Sequence, residues 1–103
     1  MAKFVLTYRG GGEMPQTEAE RDAVMGAWMQ WFGGLGSAVT EVGNPFGASS
    51  TVTANGVSDG TTSGVNGYSV LEAGDLSAAV EMAKGCPILA GGGSVEVHEA
   101  LAM

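Results

Sequence analysis

Cysteine occurs once, histidine once and basic residues only four times in 103 residues. Each scarcity closes off a class of function. The lone Cys86 cannot form an internal disulfide, so no disulfide framework holds the fold and the chain suits a reducing compartment. Cys86 also follows the end of a predicted helix, where the helix dipole disfavours a thiolate, so it reads as a small packing residue rather than a nucleophile. One histidine and one cysteine do not make a zinc set, and no metal is expected. Four basic residues against eleven acidic ones give a net charge of −7. That charge repels phosphate backbones and anionic membrane surfaces, and neither nucleic acid nor membrane is expected as a partner. No stretch approaches the ~20 apolar residues of a membrane span, and Phe4-Val5-Leu6 is too short for a signal-peptide core. A cytoplasmic protein is the expectation.

Glycine is what the chain has in excess. Its 18 glycines far exceed the usual ~7% of residues, and they are spread along the sequence, pointing to turns and close backbone approaches. The triplets Gly10-Gly11-Gly12 and Gly91-Gly92-Gly93 lack the strand–GxGxxG–helix or GxxxxGK[ST] context of a nucleotide site, so no cofactor is expected. Hydrophobic content of 45% and the chain length fit one globular domain spanning residues 1–103.

Lys3 to Arg9 reads as a strand with Phe4, Leu6 and Tyr8 on one face and Val5 and Thr7 on the other. Thr17-Glu18-Ala19-Glu20 has the form of a capping box, opening a helix that runs to about Gly34. Val24, Trp28, Trp31 and Leu35 form one stripe along it, with Met25, Met29 and Phe32 as a second beside it. Together they span roughly 200°, wider than the ~100° needed to pack on a single sheet, so a further surface is expected to cover the second stripe. Ser37 to Val42 predicts a strand ended by Gly43-Asn44-Pro45. Asn55-Gly56 is the preferred dipeptide of a two-residue turn and predicts a hairpin over Thr51 to Ser58. Gly67 to Ala73 predicts another strand. Asp75 caps a second helix with Leu76, Ala79, Val80 and Ala83 on one face, stopped by Gly85 and Pro87. Ser94 to Glu99 alternates as a last strand.

This order predicts an α+β protein built as βαββαβ with a β-hairpin insert. Two βαβ units with right-handed crossovers give a four-stranded antiparallel sheet with two helices on one face, the ferredoxin-like arrangement. The other sheet face is then bare and partly apolar, and a homodimer is expected to cover it.

Four stretches, AWMQWFGGLGSAVTEVGNPFG, VSDG, GYSVLEAGDLSAAVEMAKGCP and GGGSVEVHEALAM, resemble in their order and spacing the YCII-related family, in its DGPF-domain branch. The resemblance covers nearly the whole chain. It implies a ferredoxin-like fold forming a dimeric α+β barrel with a cleft beside the paired sheets, and, because some members lie near alternative sigma-factor genes, a sigma-factor-related partner. The tetrapeptide that names the branch appears as Asp59-Gly60-Thr61-Thr62. Some YCII-like members carry a histidine on the first helix; Trp28 and its neighbours occupy that region here.

Asp59, in a segment rich in glycine and hydroxyls, and His98, the one group titrating near neutrality, are the candidate acid/base residues. Tyr8, Trp28, Asn44, Ser58, Asp59 and Tyr68 are the candidate binding residues. Ser58 to Gly64 is expected to be a surface loop over the mouth of the cleft, where Asp59 meets His98 or Tyr8. The leading expectation is a homodimer that binds a small molecule or a partner without catalysis. The alternatives are a small-molecule enzyme using Asp59 and His98, or a sigma-factor-associated regulator for which an acidic surface suits a basic target.

Overall fold

The computed structural model describes residues 1–11 and 15–102; Gly12, and with it the end of the first glycine triplet, lies outside them. The described residues form an α+β fold. A four-stranded antiparallel sheet is made by β1 (Ala2–Arg9), β2 (Val39–Pro45), β5 (Val65–Ala73) and β6 (Ser94–Ala100), and a separate two-stranded sheet by β3 (Ser50–Thr53) and β4 (Gly56–Asp59). Two helices, α1 (Glu18–Leu35) and α2 (Leu76–Ala83), complete it. Across the larger sheet the order is β2-β5-β1-β6, so β2 and β6 are the edges.

Alternation in β1 sets the layers. Phe4, Leu6 and Tyr8 are buried while Val5, Thr7 and Arg9 are half-buried on the other side, as the period of two requires. Leu6, Tyr8 and Leu71 meet Ala83, Cys86 and Ile88, with Trp28, Trp31 and Leu35 of α1 packed against them. Phe4 and Ala73 meet Ala79 of α2. Each helix starts where the sequence predicts. The Thr17 hydroxyl accepts from Glu20 N–H at 3.0 Å, and the Glu20 carboxylate accepts from Gln16 N–H at 2.8 Å. Asp75 accepts from Ala78 N–H at 2.8 Å.

α1 packs by its C-terminal half alone. None of its residues is fully buried, and Val24, Met25 and Met29 are 45%, 64% and 63% exposed. The predicted first stripe is thus covered only from Trp28 onward, and the second is bare but for the half-buried Phe32.

The second strand and the hairpin differ from expectation. Residues Gly36–Ala38 form a 3-10 turn, so the strand starts at Val39 rather than Ser37, and it runs through Gly43-Asn44-Pro45 instead of ending there. Gly43 takes φ +79° and the pairing with β5 shifts register between Glu41 and Asn44. A glycine bulge lets the strand bend and continue where a chain with side chains would stop. In the hairpin, Val52 pairs with Val57 and Thr53 with Gly56, so the loop is Ala54-Asn55 and Gly56 belongs to the strand. Ser58 and Asp59 likewise lie in β4 rather than in a loop.

Gly10 and Gly11 meet Gly91 and Gly93. A Cβ on Gly93 would lie 2.6 Å from the Arg9 carbonyl oxygen and 2.7 Å from Gly11 N, and one on Gly91 would lie 2.5 Å from the Gly11 carbonyl oxygen. Backbone packs on backbone here, a role that any side chain would obstruct.

Candidate functional site

The polar chemistry gathers on the sheet face turned away from the helices. Thr7 lies directly opposite Tyr68 of β5 and Glu96 of β6, and Tyr68 lies opposite Asn44 of β2. Residues directly opposite in a ladder share a face, so Asn44, Tyr68, Thr7 and Glu96 form one row across four strands. Val5 lies opposite Val70 and His98, and Val70 opposite Glu41. The second row is therefore Glu41, Val70, Val5 and His98. Burial of Phe4, Leu6 and Tyr8 on one side turns Thr7 and Val5 outward on the other, which is why this strip exists.

At the β6 end, Glu96 is the hub. Its Oε1 accepts from Thr7 Oγ1 at 3.4 Å and lies 3.5 Å from Arg9 Nη2 and 3.7 Å from His98 Nε2. His98 Nε2 is also 3.5 Å from Thr7 Oγ1. Glu96 thus sits between a fixed cation and an imidazole that becomes cationic on protonation. These side chains are about half exposed, so water screens the pairs strongly. At the β2 end the Tyr68 hydroxyl donates to the Glu41 carboxylate. That bond raises the Tyr68 pKa, with the Asn44 side chain opposing it. Phe46 stacks on Tyr68 with ring centroids 5.8 Å apart and planes at 20°. Tyr68 is therefore a hydrogen-bond donor beside a flat apolar surface, not a base.

The strip offers a carboxylate and an imidazole at one end, a phenol, a carboxylate and an amide at the other, and the apolar floor Val5/Val70 between. Such a set can hold a small molecule with polar ends and an apolar body. It is a surface without walls, so an enclosed cleft needs a second surface over it.

The residues singled out from sequence fall in three places. Asn44, Tyr68 and His98 share the open face. Tyr8 and Trp28 lie on the helix side, with ring centroids 5.0 Å apart and planes at 82°. Burial there pushes the Tyr8 pKa up to about 12, and the pair serves the core. Ser58 and Asp59 lie on the hairpin, where Ser58 helps line a shallow concavity of about 230 Å³ with Thr53, Asn55, Gly56 and Val57. Among the described residues no hydrogen bond or ion pair joins Asp59 to His98 or to Tyr8. Asp59 belongs to the two-stranded sheet, whereas His98 and Tyr8 belong to opposite faces of the four-stranded one.

Thr7, Glu41 and Phe46 belong to the strip and were not singled out from sequence. The alternation of β1 could have given Thr7. Glu41 depends on the register around the Gly43 bulge, which no local pattern reveals. Burial pushes the Cys86 thiol up to about 11, so it stays protonated at neutral pH. Among the described residues, no group of three or more His, Cys, Asp or Glu is placed to hold a metal ion, and no helix is long and apolar enough to cross a membrane. No protein-family model matches the chain, and no curated protein matches it significantly.

Proposed function

We propose that the chain is a homodimeric binding domain of the YCII-related type, in its DGPF branch. Two ferredoxin-like sheets pair through their open faces into a dimeric α+β barrel, and the polar strip becomes the wall of a cleft for a small molecule. The observation that carries this reading is the strip itself: a polar row, Asn44, Tyr68, Thr7 and Glu96, beside a row with polar ends and the apolar centre Val70/Val5, on a sheet face that no helix covers.

Two features support it. Setting the hairpin aside, the sheet runs last, first, third, second in chain order with every neighbour antiparallel, the order that two interleaved βαβ units produce. The open face also carries charges of both signs. Lys3 lies opposite Glu72, and Arg9 lies near Glu96, so a two-fold axis can set acid against base between copies. Catalysis by Asp59 and His98 finds less support, since one chain keeps them on separate sheets. Sedimentation equilibrium tests the reading: a dimer is expected at micromolar concentration, and Val5→Glu with Val70→Glu is expected to give a folded monomer. A wild-type monomer would overturn it.

A further inference from the structure

The hairpin β3–β4 stands apart from the rest of the molecule. Among the described residues its strands pair only with each other. Its root is closed by Gly60 N–H donating to the Ser49 carbonyl at 2.8 Å and by Thr51 Oγ1 donating to the Gly60 carbonyl at 2.8 Å. Val52 and Val57 are directly opposite, so both project from one side of the ribbon, where they are 74% and 70% exposed. An isolated two-stranded hairpin is marginally stable in water. A surface that removes this valine pair from water would stabilise it.

The whole chain shows the same deficit of cover. Its accessible surface is 6876 Å², whereas a compact monomer of 10.3 kDa exposes about 5,400 Å². The excess of about 1,500 Å² exceeds the roughly 800 Å² that each partner buries in a standard interface. Its radius of gyration is 15.0 Å, against about 13 Å for a compact domain of this length. Charge does not exclude a second copy at the hairpin. The chain carries −7 overall, so two copies repel across most of their surface. Ser50 to Asp59, however, holds a single charged residue, Asp59 at the root. The hairpin is thus a place where two copies can meet with little like-charge repulsion.

We propose that the hairpin is a dimerisation arm whose Val52/Val57 side docks on a second copy of this chain, extending the interface between the open sheet faces. The arm rests on the dimer reading above. In an isologous dimer two arms act, so four valines leave water together.

Two variants test it by sedimentation equilibrium, with circular dichroism and urea denaturation to follow the fold. Val52→Thr with Val57→Thr keeps the β-branched shape and strand preference while adding hydroxyls. Excision of residues 50–59 with a short linker from Ser49 to Gly60 removes the arm, and the backbone hydrogen bond between those two residues means the cut ends already adjoin. The threonine pair is expected to loosen the dimer by at least about 10-fold and the excision by about 100-fold or more, counting tenfold per 1.4 kcal/mol. If the wild type is a dimer and the folded threonine variant keeps its dissociation constant, the arm is overturned and the dimer stands. If the wild type sediments as a monomer throughout, the dimer fails and the arm fails with it.

Discussion

Tyr8 Oη donates to Ser69 Oγ at 2.7 Å, and Ser69 Oγ in turn donates to the Val42 carbonyl at 2.6 Å. Through this relay three neighbouring strands, β1, β5 and β2, are tied by side chains as well as by their ladders. Ser69 is only 1% exposed, so water cannot replace either partner. Ser69→Ala strands both the phenol and the carbonyl and is expected to cost about 2–3 kcal/mol, while Tyr8→Phe leaves the Ser69–Val42 bond intact and costs about 1 kcal/mol. The double variant is expected to cost less than the sum, because each substitution removes the other's partner. Equal, small shifts of the urea midpoint would place these hydroxyls in water.

Alkaline pH is expected to unfold the protein earlier than carboxylate chemistry alone would suggest. Burial raises Tyr8 from 10.0 to about 12 and Cys86 from 9.0 to about 11. Both groups hold their proton more tightly when folded, so their contribution is full below the unfolded values and is lost as pH rises through the folded ones. The window runs from about pH 9 to pH 12, and each group accounts for up to roughly 2–3 kcal/mol. Urea midpoints measured across it should fall steadily. Cys86→Ala should flatten the first part of that fall and Tyr8→Phe the second; a wild-type profile flat to pH 11 would contradict the burial of both.

Most of the scaffold was legible because its signals are local. The alternation of Phe4, Leu6 and Tyr8 gave the layers, and Thr17 and Asp75 gave the helix starts through hydrogen bonds made within one turn. The strip was less legible. His98 and Glu96 could be placed on one face from β6 alone, but their meeting with Thr7 depends on which strand lies beside β6. Glu41 and Asn44 reach Tyr68 only because a bulge at Gly43 shifts the register, a long-range accommodation that a local pattern does not carry. Asp59 departs from the expected loop for a similar reason: a Ser-Asp-Gly run reads as a turn, yet pairing with Ser50 draws Asp59 into β4.

The Gly43 bulge is itself testable. A Cβ there would run into the Tyr68 carbonyl, and the positive φ is one that alanine adopts only under strain. Gly43→Ala must therefore break the bulge or push β2 away from β5, and a loss of about 3 kcal/mol or more is expected. Gly47 has open space around it, and Gly47→Ala is expected to stay within about 0.5 kcal/mol. Thermal unfolding of the two variants side by side separates a backbone requirement from a general sensitivity to added methyl groups.

Trp31 is the anchor of α1. Its Nε1 donates to the Met82 carbonyl at 3.0 Å, joining the last turns of both helices, and a Cβ on Gly85 would lie 3.2 Å from its ring, so the indole rests closely on the chain that leaves α2. The ring also meets Phe32 at 4.9 Å and Trp28 at 5.8 Å. Because Trp31 is half-buried, Trp31→Ala is expected to cost about 2–4 kcal/mol, a little less than a fully enclosed aromatic, and Trp31→Phe about 1 kcal/mol for the lost hydrogen bond. Met29, two residues away on the opposite side of the helix and exposed, supplies the contrast: Met29→Ala should move stability by no more than about 0.5 kcal/mol. If the urea midpoints of Trp31→Ala and Met29→Ala coincide, α1 is not held at Trp31, and its exposed N-terminal half must be fixed by contacts outside the single chain.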